Sequence, residues 1–205
     1  ASTASGTTSG SGTGKAYSAR YNTDAGFSMI DYLGNDTAGH TIPHHLSKAP
    51  ELIIVKRYTN TDPWQVLHTG FASDYETDVM DMNAVAAVSD INTVWNDTKP
   101  TSSVFTLGTN DNVNKDDDEN IAYCFHSVDG YSKVGTYEGN DSTDGTFVYT
   151  GFRPAYVWIK NIDVSSNWVI QDTERNPYNP SEVRLLVNLS AIDRDGDTYI
   201  DFLSN

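Results

Sequence analysis

The sequence predicts an all-β protein built as two tandem, similar β-sandwich units, the second incomplete at its C-terminal end. Three observations predict it. Short β-favouring runs alternate with Asn-Asp, Asp-Gly and Pro punctuation, which is the spacing of a sandwich. Aromatic residues make up 11% of the 205-residue chain and long helix-favouring runs are almost absent, a mix that leans towards sheets joined by many turns. The chain also repeats itself: "HLSKAPELIIVKR", with Pro50 and Lys56, returns 104 residues later as "TGFRPAYVWIKN", with Pro154 and Lys160.

Residues 1–14, "ASTASGTTSGSGTG", offer nothing to bury and read as a flexible lead. Residues 15–25 follow with the strand-like "KAYSARY". The first unit, 26–126, carries strand signals in "FSMIDYL", "ELIIVKR", "WQVLHT", "SVFTL" and "NIAYCF". The Ala-rich stretch Val79–Ile91 breaks that pattern and predicts a short helix or a coiled loop. The second unit, 127–205, carries them in "YSKVGTY", "TFVYT", "AYVWIKN", "NWVIQD", "VRLLVNL" and "YIDFL".

Aligned on the repeat, "GFSMIDYLGNDTAGHT" from Gly26 parallels "GYSKVGTYEGNDSTDGT" from Gly130, and Trp64 parallels Trp168. A period of this length signals duplicated domains rather than a solenoid. Each shared feature has a physical task. Gly-Asn-Asp suits a turn needing positive φ, the proline sets a strand entry, and the tryptophan fills space between sheets. The second unit has no counterpart of "ENIAYCF", and "GKAYSARYNTDAGFS" resembles "NIAYCFHSVDGYS". Either the chain continues beyond Asn205, or the strand around Ala16, Tyr17, Ala19 and Tyr21 fills that vacancy in another subunit, a heterologous contact that propagates into a fibre.

Net charge is −15, from 28 acidic and 13 basic side chains. Phosphate neutralisation needs clustered Lys and Arg, so no nucleic-acid partner is expected. The lone Cys124 forms no intrachain disulfide and reads as a small buried filler. No run approaches the ~18 apolar residues of a membrane helix, so no membrane insertion is expected. The sequence opens on Ala1 rather than methionine, as a processed chain or a piece of a longer one does.

The residues "GYSKVGTYEGN", "FVYTGFRPAYVWIK", "NWVIQDTERNPYNP" and "YIDFLSN", with "HHLSKAPELIIVK", "WNDTKPTSSVFTLGTNDNVN" and "IAYCF" ahead of them, resemble a repeated domain of unknown function in tail-fibre and other structural proteins of tailed bacteriophages. The resemblance covers most of Gly26 to Asn205. Each unit is expected to be a jelly-roll or concanavalin-like sandwich; members of that family often carry such units beside laminin-G or concanavalin-like domains, which implies an extracellular or virion location and contact with glycans. The stretch from Thr69 to Ile91 and "KDDDE" depart from that pattern.

Several stretches carry candidate chemistry. "DRDGDTYIDF" places Asp193, Asp195, Asp197 and Asp201 at alternate positions like the oxygen ligands of a Ca²⁺ loop, but Thr198 stands where that loop wants glycine and Ser204 where it wants glutamate. A Gly196-centred hairpin turn with solvated carboxylates is the simpler reading. In "KDDDE", consecutive acids in an extended chain point to alternate faces and cannot all reach one ion. "ETDVMD" sets Glu76, Asp78 and Asp81 in a pattern like a β-glucanase strand, yet it leads into the Ala-rich segment. His40, His44 and His45 share one turn region without a cysteine or carboxylate at ligand spacing. "GTGK" at Gly12 lacks the rest of a phosphate loop.

Tyr149, Tyr156 and Tyr178, with Arg153, form the candidate glycan or partner surface, because tyrosine stacks on sugar faces. No catalytic residue and no resident cofactor is expected, Ca²⁺ apart. The functional expectation is a structural, adhesive subunit of an extracellular fibre or virion appendage that associates with copies of itself and with host glycans. The alternative is a Ca²⁺-assisted carbohydrate-binding module, and a glycoside hydrolase ranks third.

Overall fold

The computed structural model describes residues 1–192 and 194–204, the stretch 194–199 through its backbone alone. Strand follows strand: β1 (Ser2–Thr7), β2 (Ser9–Gly10), β3 (Ala16–Asn22), β4 (Phe27–Leu33), β5 (His40–Pro43), β6 (Leu52–Arg57), β7 (Gln65–His68), β8 (Asp78–Asp81) and β9 (Ser89–Asp90). One helical turn, α1 (Asn92–Trp95), precedes β10 (Val104–Leu107), and a second, α2 (Asp111–Asn114), precedes β11 (Glu119–Phe125). The last four strands are β12 (Tyr156–Ile159), β13 (Val169–Asp172), β14 (Ser181–Leu186) and β15 (Arg194–Ile200). The fold is all-β, as the sequence predicts, and its sheets are open and antiparallel.

An eight-stranded sheet, β1-β3-β4-β11-β6-β7-β8-β9, forms the spine. Alternation along its strands sends residues to two separate cores. Ile30, Tyr32, Ile53, Val55, Leu67, Val79, Ala122 and Cys124 face one core, closed by Ile42 of β5, Phe105 and Leu107 of β10, and Val94 and Trp95 of α1. Ile54, Val66 and Met80 face the other way, onto Trp168, Trp158, Ile162 and Val187 around the four-stranded sheet β12-β13-β14-β15. Because both its faces are covered, β6 reads as a continuous apolar run rather than an alternating one. Cys124 is fully buried and unpaired, and burial pushes its thiol far above the usual range, so it packs rather than reacts.

Residues 1–14 are not the flexible lead the composition implies. β1 pairs with β3 over six residues, from Ser2 opposite Tyr21 to Thr7 opposite Ala16, and β2 pairs with β5. An edge strand needs no apolar side chains of its own when its neighbour supplies the ladder, so Ser, Thr and Gly suffice. Polar contacts fix the rest of the tract. The Asn35 amide donates to the carbonyls of Ser11 and Thr13 at 3.0 and 3.1 Å, and His40 Nε2 meets Thr8 Oγ1 at 2.7 Å.

Strand donation by Ala16, Tyr17, Ala19 and Tyr21 is corrected in the same way. These residues lie in β3, which pairs with β1 on one edge and β4 on the other, within its own chain. Of the short helix or coiled loop predicted at Val79–Ile91, the helix gives way: Val79 and Met80 extend in β8, paired with β9 and β7 and buried in opposite cores, while residues 82–88 form an irregular loop.

Candidate functional site: an open strand edge and its cleft

The repeat read from the sequence is written into the strand registers. In β6 and β7, Leu52 faces His68, Ile53 faces Leu67, Ile54 faces Val66 and Val55 faces Gln65. In β12 and β13, Tyr156 faces Asp172, Val157 faces Gln171, Trp158 faces Ile170 and Ile159 faces Val169. Every pair is displaced by the same 104 residues. The next strand joins in matched register too: Gln65–Asp81 and Val66–Met80 return as Val169–Leu186 and Ile170–Leu185. The fourth strand repeats as well, since Asp78–Asp90 and Val79–Ser89 return as Val183–Asp195 and Arg184–Arg194.

The turns match at the level of single hydrogen bonds. The Trp64 N–H donates to Asn83 Oδ1 at 3.1 Å, and the Trp168 N–H to Asn188 Oδ1 at 3.0 Å. Asn35 Oδ1 accepts from the Thr37 N–H, and Asn140 Oδ1 from the Ser142 N–H. The predicted positive φ falls on the aspartate of each Gly-Asn-Asp, at 52° in Asp36 and 51° in Asp141, which a short polar side chain tolerates.

Against that shared frame, one difference stands out. β6 pairs with β11 along its second edge, from Phe125 opposite Leu52 to Asn120 opposite Arg57. Its counterpart β12 is the outermost strand of its sheet. The counterparts of β4 and β5, residues 131–137 and 145–148, are irregular rather than the strands "YSKVGTY" and "TFVYT" predict. Their sequences still alternate, but β4 is held between β3 and β11, and β11, which precedes residue 131 by a short turn, is already committed to β4 and β6. A strand without a partner has no ladder to join. The aromatics of this stretch are consequently exposed: Tyr131, Tyr137, Phe147 and Tyr149 are each about half or more accessible.

The backbone of β12 presents a usable edge. The Thr173 N–H donates to the Ala155 carbonyl, so Val157 and Ile159 turn their amides to β13, and those of Tyr156 and Trp158 turn to the open side. Beside that edge lies a cleft of about 550 Å³ lined by Ala155, Tyr156, Asp172, Glu174 and Arg175. Asp172 anchors it: its carboxylate accepts from the Glu174 and Arg175 amides at 3.1 and 2.9 Å and from the Arg175 guanidinium. Glu174 supplies the remaining negative charge. Partial burial, and Asp172 beside it, hold the Tyr156 hydroxyl above its usual range, so it stays a neutral donor.

The equivalent corner of the first half is sealed. Its residues are Glu51, Leu52, His68, Gly70 and Phe71, and the chain after β11 crosses over them. The Ser127 N–H donates to the Glu51 carboxylate at 2.5 Å, and a Cβ on Gly70 would meet Thr136 Cγ2 at 2.2 Å. Replacement of His-x-Gly-Phe by Asp-x-Glu-Arg at the repeat distance was the available signal for Asp172, Glu174 and Arg175, which sequence reasoning missed.

Of the predicted surface residues, Tyr156 lines the cleft. Arg153 and the Tyr178 loop meet elsewhere, on Phe202: Arg153 Nε and Asn179 Nδ2 both donate to the Phe202 carbonyl at 3.2 Å. Tyr178 itself is 83% exposed. Tyr149 lies over Gly151.

Of the predicted calcium ligands, Asp193 lies outside the described residues, and Asp201 is exposed. The backbone through Asp195 and Asp197 runs as the extended strand β15 instead of the expected hairpin turn, because β14 supplies its ladder. No group of three or more His, Cys, Asp or Glu able to hold a metal ion occurs among the described residues.

Other candidates disperse. Asp116 and Asp117 grip Lys15 while Asp118 reaches Arg57, so the acidic run is a clasp on the N-terminal tract. Glu76 pairs with Lys99 and Asp81 with Gln65. His40 turns to Asn114 and Thr8, His44 to the Thr101 carbonyl and His45 to Tyr17.

No helix among the described residues is long and apolar enough to cross a membrane. No curated protein and no solved structure matches the chain. A family model does, over residues 1–205: the chain belongs to the family described as Domain of unknown function (DUF7483).

Proposed function

We propose that the chain is a structural and adhesive module of an extracellular fibre or virion appendage, formed of two tandem sandwich-type units. The observation that carries this reading is the unequal finish of the two halves. The first half closes a core of its own and shares a second with the other half, which sets Tyr131, Tyr137, Phe147, Tyr149, Tyr156 and Tyr178 towards solvent. Exposed tyrosines are the contact groups of adhesive surfaces: large, amphipathic and cheap to order. The negative charge and the resemblance to tail-fibre domains support the same assignment. Host glycans and further copies of the chain are the proposed partners.

A glycan array and polysaccharide co-sedimentation test the reading. Binding should weaken about tenfold or more when Tyr149 and Tyr178 are both changed to Ala, the loss of two aromatic contacts worth ~1 kcal/mol each. A protein that retains no glycan or cell surface in either assay is not an adhesin.

A further inference from the structure

We propose that the open edge of β12 is a strand-acceptor site for an extended segment of a partner polypeptide, seated where β11 sits in the first half. This inference does not rest on glycan adhesion. Three observations converge on it. The register of β12 on β13 reproduces that of β6 on β7 pair for pair, so the outer edge of β12 has the geometry that receives β11. The amides of Tyr156 and Trp158 face that edge as those of Leu52 and Ile54 face β11. The cleft at Ala155, Tyr156 and Glu174 opens at the corner over which the chain passes after β11.

Three other sheet ends are protected in ways β12 is not. β1 is a Ser, Thr and Gly strand with almost every residue exposed, β9 is two residues long, and β10 is packed under α1, where Gly108 meets Thr93. β12 reads Tyr-Val-Trp-Ile with no charge inside it. A flat apolar edge of this kind recruits another strand unless it is blunted.

The template defines the occupant's chemistry. It runs antiparallel to β12, like Glu119–Phe125 against β6, alternating small residues with aromatics and lacking proline at the bonded positions. Past Tyr156 it enters a corner where Glu174 stands in place of Gly70, so a basic residue follows the strand. β3 is not this occupant, since both its edges are filled.

The test uses the full chain and a synthetic peptide of residues 119–129 carrying Cys124→Ser and, to supply the basic residue past the strand, Ser127→Lys. Saturable binding is expected, with amide exchange at Tyr156 and Trp158 slowed about tenfold or more. Tyr156→Pro removes an N–H on the open edge only, a position where proline is tolerated. It should weaken the peptide about fivefold beyond Tyr156→Ala, the loss of one backbone bond. Absence of saturable binding, or binding that leaves the Tyr156 and Trp158 amides unprotected, overturns the proposal. So does a self-associated protein in which the edge is already protected by a second copy.

Discussion

The indole N–H of Trp168 donates to the backbone carbonyl of Asp81 across 3.2 Å. That bond ties the second sheet to β8 of the first, and Trp168 also tilts against Trp158 at a centroid distance of 5.6 Å. Trp168 is 7% exposed within the core that Ile54, Val66 and Met80 share with it. Trp168→Ala should therefore cost about 3–5 kcal/mol. Trp168→Phe should cost less, because it keeps much of the apolar area. Urea denaturation followed by tryptophan fluorescence measures both. Equal costs for the two variants would show that the ring's burial does not hold the sheets together.

The N-terminal tract is docked through Thr8, which is 4% exposed. Its hydroxyl accepts from the Lys15 N–H at 2.8 Å and bonds His40 Nε2 at 2.7 Å. Thr8→Val keeps the shape and strands both partners, so it should cost about 1–3 kcal/mol. Thr7→Val, one residue earlier and exposed, should lie within about 0.5 kcal/mol of the parent. A tract that hung free would give no change in either variant, so the difference in denaturation midpoint between them is the test.

How much of this was legible in the sequence depends on whether a signal was local. Ile53 to Val55 and Tyr156 to Ile159 announce strands by composition, and Pro50, Trp64 and their counterparts announce the repeat. The registers then follow the repeat residue for residue. Residues 131–137 were misread because their alternation is local whereas strand formation is not: a strand exists only where a neighbour offers its ladder, and β11 had been taken. Residues 1–14 failed in the opposite sense, a polar tract ordered by distant Asn35, His40 and Thr41. The cleft was invisible residue by residue and legible only by comparing His68, Gly70 and Phe71 with Asp172, Glu174 and Arg175.

Asn83 and Asn188 hold equivalent posts, each accepting the N–H of its tryptophan. The following residues repeat as well: the Met82 N–H donates to the Trp64 carbonyl and the Val187 N–H to that of Trp168. Asn83→Ala and Asn188→Ala should each cost about 1 kcal/mol, the net worth of one such bond. Asn188 also donates to Asn167 Oδ1 at 2.9 Å, so its substitution should cost the more of the two. Thermal denaturation of the two single variants decides this, and an inert Asn188→Ala would separate the turns despite their shared geometry.

Burial also makes the fold sensitive to acid. His40, His44 and His68 are each held below the ordinary imidazole value, chiefly because burial disfavours the cation. Asn114 beside His40, the Thr101 carbonyl at His44 and Glu51 near His68 act against that shift, while Lys15 near His40 and His45 and His126 near His44 reinforce it. The unfolded imidazoles titrate near 6.5, so between that value and the folded ones the unfolded chain holds more protons. Stability rises with pH through that window and is lost as pH falls below about 6.5. Asp78 works the other way at lower pH, since burial and its neighbours Asp74, Asp90 and Glu76 raise its carboxyl. Urea midpoints at pH 7.5, 6.5 and 5.5 should fall in that order, with a slope of up to about 1.4 kcal/mol per pH unit for each proton taken up. Midpoints that do not move between pH 7.5 and 5.5 would mean the buried imidazoles accept protons without loss, contrary to their surroundings in this fold.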